Sequence, residues 1–110
     1  MTVSEWWQQV YPYAVELEKN ITRSPDELSL QEAMTTLENL PDTLQKIEIV
    51  PYADDAEQMR QYLMRSVTYL IHAYEELKQD NMTEVDFYYS SSLTQIAHLH
   101  YCLVQHGFTK

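Results

Sequence analysis

The chain has 110 residues, 45% of them hydrophobic, and 17 acidic against seven basic side chains give a formal charge of −10 at pH 7. That length suits one domain spanning 1–110 with its own core, and the charge repels phosphate backbones and anionic lipid, which argues against nucleic acid and membrane as partners and for a basic protein. A single glycine, where average usage would supply roughly eight, rules out a glycine-rich phosphate loop and disfavours hairpin turns, so the expected class is all-α.

Thr2-Val3-Ser4-Glu5 reads as a capping box that starts a first helix. Val3, Trp6, Val10, Tyr13, Leu17 and Ile21 then recur at three- and four-residue steps, with Trp7 and Ala14 widening the stripe. Both tryptophans are therefore read as core. Pro12 lacks an amide hydrogen and crowds the carbonyl of Gln8, which predicts a kink there.

The second segment has two candidate starts, Ser24-Pro25-Asp26-Glu27 and Ser29-Leu30-Gln31-Glu32. Leu30, Ala33, Leu37, Leu40, Leu44 and Ile47 keep one register straight through Pro41, as a kinked but continuous helix would, and Val50-Pro51 ends it. Asp54-Asp55-Ala56-Glu57 opens a third helix running to about Gln79. Its apolar and tyrosine positions sweep an arc of about 220°. An arc that wide predicts contact with two neighbours and with a second copy of the chain, through Met59, Tyr62, Tyr69 and Ala73.

A fourth helix follows the short Asp80-Asn81 turn, capped by Asn81 or Thr83, and runs to about His106, where Gly107 supplies a left-handed stop. Val85, Tyr89, Ser92, Ile96, Leu99 and Leu103 form its inner stripe, with Leu93, Ala97 and Val104 alongside. Ser90-Ser91-Ser92 is its weakest stretch, because serine competes for backbone hydrogen bonds. The expected architecture is an antiparallel up-and-down four-helix bundle kinked at Pro12 and Pro41.

Lone Cys102 permits no intrachain disulfide and predicts a reducing, cytoplasmic setting. The segment Met1-Thr2-Val3-Ser4-Glu5-Trp6-Trp7 has no signal-peptide pattern, and no apolar run nears the ~20 residues of a membrane span. Asn20-Ile21-Thr22 and Asn81-Met82-Thr83 match a glycosylation pattern, read here as coincidence in such a setting.

Three sets of residues invite chemistry. His100 lies near the apolar face of the fourth helix, and His98, Cys102 and His106 repeat every four residues along its flank, a row that a soft divalent metal could bridge in part. The plainer reading is a satisfied core histidine beside a polar flank with an inert thiol, since no Glu-x-x-His pair of a di-iron bundle is present and no cofactor is implied. Trp6, Trp7, Tyr11 and Tyr13 could in principle cage a cationic ligand.

Arg65 and His72 stand two turns apart on the polar side of the third helix. Arg65-Ser-Val-Thr-Tyr-Leu-Ile-His72 resembles, at its long end, the Arg, four to six residues, His pattern of HEPN ribonucleases, which are small, all-helical and often dimeric. The resemblance implies metal-independent RNA cleavage at a dimer interface, with His72 moving the proton and Arg65 holding phosphorane charge. It covers eight residues, no asparagine follows Arg65, and the acidic balance opposes RNA, so membership is not assigned. The leading expectation is a non-catalytic interaction or regulatory module, homodimeric through the third helix. A metal- or ligand-binding bundle is the alternative, with the ribonuclease behind it.

Overall fold

A computed structural model describes residues 2–108. Four helices carry the chain: α1 (Val3–Ile21), α2 (Leu30–Glu48), α3 (Glu57–Lys78) and α4 (Met82–Gln105), with short 3₁₀ turns at Pro25–Glu27 and Asp54–Ala56. A 24-residue helix is about 36 Å long, and the molecule measures 42 × 22 × 19 Å, so the helices lie along its long axis. No helix among the described residues is long and apolar enough to cross a membrane.

α1 and α2 begin with the capping boxes that the sequence marks, whereas Asp54–Ala56 forms a 3₁₀ turn and α3 starts at Glu57 without a side-chain cap. Thr2 accepts from the Glu5 amide at 3.1 Å while the Glu5 carboxylate accepts from the Thr2 amide at 2.8 Å. Both candidate starts of the second segment are used: Ser24 opens the 3₁₀ turn, and Ser29 with Glu32 caps α2. α1 continues through Pro12 and α2 through Pro41. Asn81 precedes α4 without a side-chain cap; its amide nitrogen donates instead to Glu76 Oε2 at 3.3 Å.

The helix ends on either side of α4 share one device. At the end of α4, Gly107 has φ +85°, its N–H meets the Val104 carbonyl at 3.0 Å, and the Phe108 N–H reaches back to Leu103 at 2.9 Å. That is a Schellman motif. α3 ends in the same pattern, Asp80 to Leu77 and Asn81 to Glu76, both 3.1 Å, but with Asp80 rather than glycine at positive φ (57°). Aspartate tolerates that conformation better than most residues.

Buried residues from all four helices form one cluster around Trp6, Leu17, Leu40, Ile47, Leu63, Leu70 and Leu99. α3 is its axis, packing most closely on α4 and next on α2. Tyr62–His98, Ser66–Ser92 and Tyr69–Tyr88 meet as one advances along α3 and retreats along α4. At the closest approach, fully buried Ser66 and Ser92 exchange hydroxyl-to-carbonyl bonds of 3.0 and 2.7 Å, with their hydroxyls 2.9 Å apart. Two small side chains let the backbones close in, and each polar atom is satisfied by the neighbouring helix. Ser92, at the end of the serine run that reads as a weak stretch, thus lies in the seam between α3 and α4, while Ser90 is exposed and Ser91 donates back to the Phe87 carbonyl.

Three expectations need correction. Met59 and Ala73 are buried inside the chain itself, so neither can meet a second copy, whereas Tyr62 and Tyr69 keep part of their surface open. Leu30, the first residue of α2, is 71% exposed because it stands at the end of the helix, beyond the stripe it was assigned to. Leu93, Ala97 and Val104 face outward, since the close approach of α3 uses only the Val85-to-Leu103 stripe of α4.

Candidate functional site

α1 and α4 have almost no close backbone approach, although α4 presses hard against α3. Bulky Trp6, fully buried, and the other core side chains of α1 fill the interior and keep α1 at a distance. Beyond the core they share, a few long side chains tie the two helices together. The Tyr89 hydroxyl donates to the Ile21 carbonyl at 2.7 Å, one of the last carbonyls of α1, and His100 Nε2 lies 2.9 Å from Glu18 Oε1. Burial raises the Tyr89 pKa above its ordinary value, with Glu27 and Asp26 adding to the effect.

Between these ties and the other end of the bundle runs an open groove of about 220 Å³. α1 contributes Trp7, Tyr11, Ala14, Val15 and Glu18, spacings that return to one face every three or four residues. The opposite wall is His100, Leu103, Val104 and Phe108. Trp7 sits edge-on to Tyr11 with ring centroids 5.6 Å apart, and Phe108 closes on Trp7 at 6.5 Å. Gly107 is what turns Phe108 into that position, because the reversal after α4 needs its positive φ. Trp6 is core as expected, whereas Trp7 is half-buried and serves as the aromatic floor of the groove.

The groove has polarity. One end is aromatic, with Trp7, Tyr11 and Phe108; the other carries the Glu18–His100 pair, whose side chains are 41% and 45% exposed. Tyr11 and Val104, both on its rim, are 52% and 69% exposed. Among the described residues, no lysine or arginine and no serine, threonine or cysteine belongs to the lining. Such a surface suits apolar contact with one anionic point rather than covalent chemistry.

The remaining candidates fall elsewhere. His98 packs against Tyr62 at 5.2 Å, Cys102 is half-buried against the core, and His106 lies at the exposed end of α4. No group of three or more potential metal ligands comes together among the described residues. Arg65 donates to Gln61 Oε1 at 3.1 Å, and His72 pairs with Glu75 at 3.3 Å while lying 5.2 Å from the Tyr88 ring, so each engages neighbours of its own. Tyr62 and Tyr69 remain partly exposed on α3, against His98 and Tyr88 respectively.

No family model, no curated protein and no solved structure matches this chain. The groove therefore has to be interpreted from its own chemistry. The sequence marks His100 as a core histidine, but its side chain is 45% exposed and pairs with Glu18 rather than with a tyrosine or a backbone carbonyl; neither that partner nor the exposed apolar rim was foreseen. The signal was the 7, 11, 14, 15, 18 spacing, which could have been read as a second face of α1 rather than an edge of its core stripe.

Proposed function

We propose that this chain is a non-catalytic protein-interaction module whose α1–α4 groove receives an amphipathic helix, basic on its polar side, from a partner protein. The observation that carries this reading is the open, aromatic-floored groove with no lysine or arginine among the described residues of its lining, on a chain of net charge −10. Two helices held apart over a third offer the hollow into which an apolar helix face fits. The charge of the chain complements a basic partner and would speed its approach. The lone Cys102 supports a cytoplasmic setting for the encounter.

The test is calorimetric titration with an 18-residue synthetic helix of leucine, glutamine and lysine, leucines on one face. One site per chain is expected, and Val104→Gln should weaken binding about tenfold by placing a polar group in the apolar contact. Val104 is exposed, so the variant should keep its fold. Equal affinities for the variant and the native chain, or no saturable binding, would contradict the proposal. So would a dimer of the free chain in light scattering that Val104→Gln dissociates, because a second copy would then own the groove.

A further inference from the structure

Building on the groove as a helix-binding surface, we infer that it reads its partner in one register. A bulky apolar residue seats against Trp7, Tyr11 and Phe108, and a lysine or arginine three turns away takes Glu18 from His100. Trp7 and Glu18 stand eleven residues apart on α1, three turns and about 16 Å along one helix face. A partner helix lying along α1 repeats that spacing, so an anchor and a cation eleven residues apart point into the groove together.

The opposite ends of the groove differ in what they offer. Aromatic rings at Trp7 and Phe108 give a large apolar contact area and a floor for a bulky side chain. At the far end the carboxylate of Glu18 accepts from one donor, His100 Nε2, at 2.9 Å, with both side chains open to solvent. A lysine or arginine is a permanent cation and forms a charge-assisted bond to that carboxylate, whereas imidazole is charged only when protonated. Glu18 has no lysine or arginine beside it among the described residues that line the groove. Among the described residues of the lining, Glu18 is the carboxylate an incoming cation can meet, and that fixes which residues of the helix meet which rings.

Fifteen-residue helical peptides test this. Each carries one phenylalanine anchor, leucines four and seven residues from it, and one lysine eleven residues away, placed after the anchor in one peptide and before it in the other. Controls replace the lysine by glutamine or move it two residues, off the binding face. One orientation should bind the native chain about threefold or more tightly than both controls, the scale of a partly exposed ion pair. Glu18→Gln should erase that preference, and the His100 imidazole signals in NMR should move with the lysine peptide and not with the glutamine one. A preference that survives Glu18→Gln, or affinity that ignores lysine position, overturns the register. If the register fails while Val104→Gln still weakens every peptide, the groove reading stands alone; if Val104→Gln has no effect, both fall.

Discussion

Tyr74 lies fully buried beneath α2, and its hydroxyl has no hydrogen-bond partner. Thr36, close by, donates its own hydroxyl to the Glu32 carbonyl. Burial pushes the Tyr74 pKa from 10.0 up to about 12, with Tyr89 adding to the effect. Because the folded value is the higher one, the neutral phenol favours the folded state; this contribution is complete below pH 10 and is lost as pH rises through about 12. Tyr74→Phe removes an unsatisfied group from the interior. Urea unfolding at neutral pH should show a gain of about 1 kcal/mol, with a shallower alkaline loss; a clear destabilisation would contradict this account of the hydroxyl. Gly107 makes the opposite case, since a Cβ there would meet nothing within 4 Å and the cost of Gly107→Ala is conformational alone. About 1 kcal/mol is expected from thermal unfolding, together with altered tryptophan fluorescence as Phe108 leaves Trp7. Unchanged stability and fluorescence would mean the α4 stop does not depend on glycine.

The starts of α1 and α2 were legible from local chemistry, whereas α3 and α4 begin without side-chain caps. Thr2 with Glu5 and Ser29 with Glu32 announce α1 and α2, and the backbone and hydroxyl bonds from Thr2 and Ser29 hold the two carboxyl groups below the ordinary 4.5. Depressed folded values mean that the capping carboxylates help above pH 4.5 and lose that effect as pH falls through their folded pKa. The variant Glu5→Gln with Glu32→Gln should accordingly show a smaller stability loss on acidification than the native chain, followed by circular dichroism. Matching acid profiles would show that these caps contribute nothing through their charge. The stop of α3 was harder to foresee, because Asp80 does there what Gly107 does for α4, and aspartate occurs in many settings without positive φ. The seam between α3 and α4 was also hidden: serine reads as a poor helix former, and only the position of Ser92 opposite Ser66 turns that weakness into close packing.

At the scale of the molecule, the bundle is the part that periodicity could deliver and the groove is the part it could not. A helical wheel assigns Trp7, Ala14 and Val104 to an apolar side, yet it carries no information on whether two helices touch there. That depends on sizes elsewhere: small side chains draw α4 onto α3, and Trp6 with its neighbours fills the core beneath α1. The wide apolar arc of α3 illustrates the converse. Read alone it suggested a second copy of the chain, but a central helix spends Met59 and Ala73 on its own core and leaves only part of Tyr62 and Tyr69 open. The acidic exterior is then left to act where Trp7, Tyr11, Val104 and Phe108 gather, the α1–α4 hollow. The most direct test of this account is an amide NMR titration of the native chain with the 18-residue leucine–lysine helix. The account predicts that the largest shifts fall on residues 7–18 of α1 and 100–108 beyond and along the end of α4; shifts centred on the outer faces of α2 and α3, or spread evenly over the acidic surface, would contradict it.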